Sequence, residues 1–193
     1  MRPLLIVALL AGLGCAAPEP LPDYGAVPGF ELTERSGRTV SSHDFDGKVW
    51  VADFVFTTCA GPCPRMSANM KRLQAALPDS PDVRLATFSV DPERDTPEIL
   101  AEYAKRYGAD PERWLFLTGD KQALYDLIRK GFLQAVDDGS LTEGGKPGPG
   151  IITHSTRYTL VDRHGRVRGF YHGEEAGVVQ AILPDLERLL RED

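Results

Sequence analysis

The stretch VWVADFVFTTCAGPCP, residues 49–64, decides the fold predicted for this chain. Its first eight residues are nearly all apolar and include several β-branched side chains, which is typical of a strand buried on both faces. Two cysteines follow, Cys59 and Cys63, with three residues between them and a predicted helix directly after them. A thiol pair at such a strand–helix junction is suited to redox exchange, to a soft metal ion or to a structural disulfide.

The segments around this stretch alternate between strand and helix patterns, which favours an α/β domain. We expect a hairpin at 30–33 and 38–40, strands at 49–56, 83–90 and 114–117, helices at 64–77, 97–107 and 122–130, an exposed loop at 137–150, a hairpin at 155–161 and 167–171, and a helix at 178–190. This order resembles a thioredoxin-like fold. It predicts a central mixed sheet flanked by helices, with an N-terminal β-hairpin extension.

The first 15 residues have the pattern of an export signal. A basic start precedes ten apolar residues, 4–13, which as a helix would span about 15 Å, half of the roughly 30 Å hydrocarbon core of a bilayer. Gly14-Cys15 resembles a bacterial lipoprotein cleavage site and predicts a lipid on Cys15, although Gly12 stands where leucine is usual. Ordinary cleavage near Ala17, which would give a soluble secreted protein, is the alternative.

The chain therefore divides into three predicted regions. Residues 1–15 form a signal peptide that ends in the lipoprotein cysteine, residues 16–29 a proline-rich tether, and residues 30–193 one folded domain. We expect an exported protein at the outer, periplasmic face of a bacterial cell membrane, attached by the lipid. Without the signal, 21 Lys and Arg stand against 28 Asp and Glu with no basic cluster, which argues against nucleic-acid binding.

The position of the cysteines favours thiolates. A thiol that faces the first turn of a helix meets unpaired N–H groups and the positive end of the helix dipole, and both stabilise the anion. Three intervening residues make a wide ring, which can close as a disulfide and also leaves room for an ion between the sulfurs. A structural disulfide remains an alternative, although such staples more often join distant segments.

Among the four histidines, His154 is the candidate for a third ligand of copper(I), an ion that prefers soft donors. It enters the strand that we expect beside the strand preceding Cys59. In a thioredoxin-like fold the loop at this point approaches the cysteine turn. Thioredoxin-type reductases have a cis-proline there, and this chain has none. We expect His43, His164 and His172 to be ordinary surface or core residues.

Three motifs occur in a characteristic order along the chain. They are TTCAGPCP at 57–64, SVDPERDTP at 89–97, and His154 ahead of YTLVD at 158–162. Together they strongly resemble the Sco/SenC family of copper chaperones, over residues 30–190. The three motifs are specific in combination, whereas only the cysteine motif would carry weight by itself.

The resemblance implies a thioredoxin-like fold and a copper site formed by Cys59, Cys63 and His154. It further implies copper(I) as the bound ion, with copper(II) sharing the site transiently, and delivery of copper to the dinuclear copper centre of cytochrome c oxidase. The partner would be the copper-site subunit of that oxidase or another periplasmic copper chaperone. This chain departs from the family pattern at Ala60, where proline is frequent, and in having a tether and lipid instead of a transmembrane anchor.

Asp91, Met66 and Met70 are further candidates for a role at the site. Asp91 follows the strand 83–90 at the same sheet edge as the cysteine turn, so its carboxylate is expected either to tune the site or face a partner, or to bond nearby backbone in a turn. Met66 and Met70 carry thioethers, but their helical spacing with the apolar residues around them predicts core positions.

A second function follows from the same thiols. A thiol–disulfide oxidoreductase would use Cys59 as the exposed nucleophile and Cys63 as the resolving thiol, to keep the copper-receiving cysteines of a partner reduced. A peroxidase of the peroxiredoxin type is disfavoured, because Phe56 stands where those enzymes have threonine. Zinc lacks the usual fourth protein ligand. The loop at 137–150 is rich in glycine and proline, which would let His154 swing in and out.

Overall fold

The computed structural model describes residues 19–140 and 152–192. The strands are β1 Glu31–Glu34, β2 Thr39–Ser41, β3 Val49–Val55, β4 Val83–Ser89, β5 Trp114–Thr118, β6 Val136–Asp137, β7 Thr153–His154, β8 Arg157–Val161 and β9 Val167–His172. The helices are α1 Cys63–Ala76, α2 Pro97–Tyr107, α3 Lys121–Asp126 and α4 Val178–Arg191. The predicted signal peptide, Cys15 and most of the loop at 137–150 lie outside the described residues.

Seven of the described strands form one mixed sheet in the order β2-β1-β5-β4-β3-β8-β9. β3 runs parallel to β4, and β4 runs parallel to β5, whereas β8 is antiparallel to β3. The parallel pairs need helical crossovers, which α1 and α2 supply. This arrangement confirms the predicted mixed sheet, and β1 with β2 is the predicted N-terminal hairpin.

The strand β3 is central because every one of its residues is buried. Its side chains alternate between two hydrophobic layers, as the period of a strand requires. Val49, Val51 and Val55 face the layer that contains residues of α1, α2 and α4, and Trp50 and Phe54 face the layer beneath the hairpin and α3. The carboxyl end of β3 is thereby fixed from both sides, and the cysteine turn starts from that end.

The helix starts and ends agree with their sequence signals. Thr96 precedes α2 and its hydroxyl accepts a hydrogen bond from the N–H of Ile99, with Pro97 at the first helical position. Gly108 ends α2 with a φ of 65°, in the left-handed region where glycine carries no steric penalty. Met66 and Met70 are fully buried in the core beneath α1, as predicted.

The helix predicted at 122–130 differs from the structure in its second half. The α-helical part α3 ends at Asp126, and Leu127–Gly131 form a π-helical turn, in which the N–H of Phe132 donates to the carbonyl of Leu127. Apolar spacing cannot separate the two geometries over so short a segment. The wider turn is followed by Phe132 and then by Leu133, which has a φ of 53°.

The region between α3 and β8 holds a small sheet that the sequence did not predict. β6 pairs with β7 antiparallel, with Val136 opposite His154 and Asp137 opposite Thr153. The loop expected from Asp137 onward therefore begins after a strand, and the strand expected from Ser155 begins at Arg157. Two-residue strands have too few positions to show an alternating pattern, so only tertiary contacts reveal them.

The described part of the predicted tether is extended but lies against the domain. Tyr24 and Val27 donate backbone hydrogen bonds to the carbonyls of Val167 and Gly165, at 2.9 and 2.8 Å. Asp23 also forms an ion pair with Arg166. The folded unit thus begins before residue 30. None of the helices in the described ranges has the length and apolar character that crossing a bilayer requires.

One carboxyl group lies in the core of the sheet. Asp53 of β3 is fully buried, and one of its oxygens accepts a hydrogen bond of 2.6 Å from the hydroxyl of Thr87, which itself accepts one of 2.8 Å from the indole of Trp114. Its other oxygen has no hydrogen-bond partner among the described residues. Burial raises the pKa of Asp53 to about 7, although the bond from Thr87 acts in the opposite direction.

This carboxyl predicts how stability depends on pH. Between pH 4 and pH 7 folded Asp53 keeps a proton that the unfolded chain releases, so the free energy of unfolding should fall as the pH rises through that window. One pKa unit corresponds to about 1.4 kcal/mol, so the loss amounts to a few kcal/mol. Chemical unfolding of the metal-free protein and of the variant Asp53→Asn should differ by an amount that changes across this window. A difference that stays constant would contradict the assignment.

Candidate metal centre

The two cysteines lie where β3 passes into α1. Cys59 is half-buried in the turn, and its N–H donates to the carbonyl of Phe56 at 3.2 Å. Cys63 is the first residue of α1 and is fully buried. Pro62 precedes it with φ −72° and ψ −32°, so the restricted φ of proline already has the value that a helix needs. Both cysteines are free thiols.

A buried carboxylate fixes the start of this turn. Asp95 is fully buried and accepts hydrogen bonds from the hydroxyl of Thr57 at 2.5 Å and from the hydroxyl of Ser89 at 2.7 Å. The backbone N–H of Thr57 also points at this carboxylate, 3.3 Å from each oxygen. Thr57 follows the end of β3, and Ser89 ends the neighbouring parallel strand β4. Asp95 therefore joins the ends of two strands directly below the cysteine turn.

His154 reaches the cysteines from β7. Its Nε2 lies 3.3 Å from Sγ of Cys63, while its Nδ1 lies 2.9 Å from the carbonyl oxygen of Ser155. A carbonyl only accepts, so Nδ1 carries the proton and Nε2 presents its lone pair to the thiol of Cys63. The ring also meets Phe56 edge to face, with 5.7 Å between centroids. The ligand atoms of Cys59, Cys63 and His154 all lie within 4.8 Å of one another.

Burial shifts the pKa values of His154 and Cys63 in opposite directions, and both shifts favour the neutral form of the group. It lowers the pKa of His154 below its ordinary value, although the bond to Ser155 and the nearby Glu174 act the other way, so the imidazole is neutral. Burial also raises the pKa of the Cys63 thiol far above its ordinary value, and the hydrogen bond with Cys59 adds to this rise. In the metal-free protein, desolvation therefore opposes the thiolate that the helix start is expected to favour at Cys63.

Asp91 does not belong to this group of three residues. It is buried, and its carboxylate lies 3.6 Å from the guanidinium of Arg94, with one oxygen lacking a hydrogen-bond partner in the described ranges. Its backbone carbonyl accepts from the N–H groups of Arg94 and Asp95, at 3.0 and 2.8 Å. The hydrogen bonds that close this turn are therefore made by the backbone of Asp91. A role for its carboxylate in tuning the site or facing a partner stays a prediction.

Asp95 is the residue that sequence reasoning missed. It lies in the same motif as Asp91, directly before Thr96, the residue that precedes α2. Two features of the sequence point to it. Thr57 and Ser89 place hydroxyl groups at the ends of two adjacent strands, and Asp95, four residues after Asp91, is close enough in the chain to Ser89 to bond both. The remaining histidines lie outside the group of three; His43 is exposed and lies 3.0 Å from Asp46.

Comparison with known proteins identifies the relatives of this chain. The family model described as SCO1/SenC matches residues 20–191. The chain is 35% identical over 187 residues to the SCO1 protein homolog of Bacillus subtilis (strain 168), covering 95% of this chain and 92% of that protein. It is 30% identical over 169 residues to a putative copper-binding protein of Stutzerimonas stutzeri, covering 86% and 79%.

Solved structures agree in fold. BsSco, described as a member of the Sco family of cytochrome c oxidase assembly proteins with a disulfide switch, has a TM-score of 0.76 at 32% identity, covering 91% of this chain and 100% of that one. A SCO1/SenC family lipoprotein from Bacillus anthracis str. Ames has a TM-score of 0.75 at 34% identity, covering 86% and 95%. Copper-bound ScoI from Bradyrhizobium japonicum has a TM-score of 0.67 at 26% identity, covering 86% and 99%. The predicted thioredoxin-like fold class is confirmed, and this chain belongs to the SCO1/SenC family.

Proposed function

We propose that the protein is a copper chaperone that binds copper(I) through Cys59, Cys63 and His154. The observation that carries this proposal is the convergence of two sulfurs and one imidazole nitrogen, all within 4.8 Å of one another. Two relatives support the choice of metal, because one is described as a putative copper-binding protein and another was solved with copper bound.

The dimensions of the group suit one ion. An ion about 2.2 Å from three ligands in a plane would need ligand atoms about 3.8 Å apart. The Nε2–Sγ separation of His154 and Cys63 is 3.3 Å, and the separations in the group do not exceed 4.8 Å. Side-chain shifts of about 1 Å or less therefore close the site around an ion. Thiolates select copper(I) among soft ions, whereas structural zinc needs a fourth ligand, which this group of described residues does not contain.

The different burial of the ligands gives loading and release an order. Cys59 is half-buried and Cys63 fully buried, so an arriving ion meets Cys59 first. His154 is also half-buried and offers the lone pair of Nε2, and the fully buried Cys63 then completes the coordination from the inside. Binding replaces the thiol protons, which leave to solvent. In release, the ligands of a recipient enter from the Cys59 side and displace the protein ligands one at a time.

The proposal extends to the recipient and the location. We infer that the chain helps deliver copper to the dinuclear copper centre of cytochrome c oxidase, or passes it to another periplasmic copper chaperone. Support comes from BsSco, which is described among cytochrome c oxidase assembly proteins. The lipid on Cys15 would hold the domain at the outer face of the cell membrane, and a relative described as a lipoprotein supports this anchor.

Thiol–disulfide exchange is the second candidate, favoured by the unequal exposure of two adjacent free thiols. The thiolate of Cys59 would attack a partner disulfide, forming a mixed disulfide and releasing one partner thiolate. Cys63 would then lose its proton as its sulfur attacks the sulfur of Cys59, and the second partner sulfur would leave as a thiolate and take up a proton. The Cys59–Cys63 pair loses two electrons, which the partner disulfide gains.

The test of copper binding is a competition titration of the reduced protein with copper(I). The protein should bind one ion per chain, and the variant His154→Ala should bind it at least tenfold more weakly, because even partners of metal ligands are worth 10–100-fold in affinity. The matched control is His43→Ala, which removes an exposed imidazole outside the group and should leave the affinity unchanged. Equal affinities of the wild type and His154→Ala would remove His154 as a ligand.

The test of exchange is a reaction of the metal-free, reduced protein with a small aromatic disulfide. If the second candidate holds, the wild type should release two thiols per chain, whereas Cys63→Ser should stop at a stable mixed disulfide on Cys59. Cys59→Ser should react far more slowly, because Cys63 is buried and its proton is tightly held. An unreactive wild-type protein leaves metal handling as the function.

A further inference from the structure

The third proposed ligand is carried by a very small element. His154 lies on β7, which pairs with β6 and belongs to the two-stranded sheet apart from the main one. Val136 stands opposite His154, and the backbone bond at this point runs from the N–H of Ser155 to the carbonyl of Ala135, at 2.9 Å. Val136 and His154 are thus a non-hydrogen-bonded pair, so the carbonyl of Val136 points away from β7.

Arg129 donates hydrogen bonds to this outward-pointing carbonyl. Its Nε and Nη2 atoms donate to the carbonyl oxygen of Val136 at 3.1 and 2.7 Å. Arg129 lies in the π-helical turn that follows α3, and its guanidinium is 5.4 Å from the ring centroid of Tyr125. A surface cavity of about 540 Å³ borders the same place and is lined in part by Arg129, Val136 and His154. The hairpin borders this cavity, and the guanidinium of Arg129 holds it there through the carbonyl of Val136.

Two further side chains on the same helical face act on the same region. Lys121 and Tyr125 precede Arg129 by eight and four residues, so the three align on one face, which we name the anchoring face. Lys121 bridges Asp138, just beyond β6, and Glu93, at 2.7 and 2.8 Å. The hydroxyl of Tyr125 donates to the carbonyl of Val90 at 2.9 Å. The anchoring face therefore ties the start of the SVDPERDTP motif to β6.

From these contacts we propose that Arg129 is a positioning residue for His154. A two-stranded hairpin is marginally stable by itself, so its place depends on what holds it from outside. By fixing Val136, Arg129 fixes the strand against which His154 lies, and thereby the approach of Nε2 to Cys63. Lys121 supports the same strand through Asp138. The inference rests on the proposed copper site and concerns what keeps its third ligand in reach.

The test is a double-mutant cycle on copper(I) affinity, measured by competition titration of the reduced protein. Arg129→Met keeps an unbranched apolar side chain and removes both donors. It should weaken binding by up to about tenfold, the lower end of the range for direct partners of metal ligands, because Arg129 acts on His154 through Val136. In the His154→Ala background the same substitution should change the affinity less than about twofold, because no ligand is left to position. Lys130→Met is the matched control: its ion pair is with Asp126, so it should leave the affinity unchanged.

The outcomes separate this inference from the proposed function. Equal affinities of Arg129→Met and the wild type, with His154→Ala weakened, overturn the role of Arg129 alone. So does an equal loss in both backgrounds, which would mean that Arg129 acts on the whole fold. If His154→Ala binds as the wild type does, the third ligand is lost and this inference with it. Thermal unfolding checks each variant, and Lys121→Met enters the same cycle, with the same expectation, if Arg129→Met fails to fold.

Discussion

The contact between His154 and Cys63 is the interaction on which the rest of this structure depends. The two residues are 91 positions apart in the chain, yet Nε2 and Sγ are 3.3 Å apart. One side of the contact is fixed by β3 and α1, and the other by the small hairpin of β6 and β7. The main sheet makes the first side rigid, whereas the second depends on side chains that reach across from α3 and its π turn.

Burial gives the metal-free site a definite chemical state. It keeps the imidazole of His154 neutral and the thiol of Cys63 protonated, so neither of these two groups carries a charge in the metal-free site. In the proposed site, copper(I) would displace the protons of both thiols to solvent, and metal–ligand bonds would replace the contact between the Cys63 thiol and His154. In the proposed site, the half-buried Cys59 would keep one ligand accessible to a recipient, as a carrier that binds and then releases its ion requires.

Long elements were predictable from sequence, and short ones were not. The buried strand β3, the amphipathic α1 and α2, and the closing hairpin and helix follow from apolar periodicity, and Thr96 and Gly108 mark the ends of α2. Periodicity does not predict the pairing of β6 with β7 or the π turn at Arg129, because both depend on contacts with residues distant in the chain. The role of Asp95 could not be predicted for a similar reason: the motif contains both Asp91 and Asp95, but only the fold shows that Asp95 reaches Thr57 and Ser89.

The most direct measurement of the central claim is X-ray absorption spectroscopy of the protein loaded with one equivalent of copper(I). Two sulfur ligands and one imidazole nitrogen in the first coordination sphere are expected, and the imidazole contribution should disappear in His154→Ala. A spectrum with sulfur ligands alone, unchanged by that substitution, would contradict the account, because the imidazole that lies 3.3 Å from Cys63 would then take no part in holding the ion.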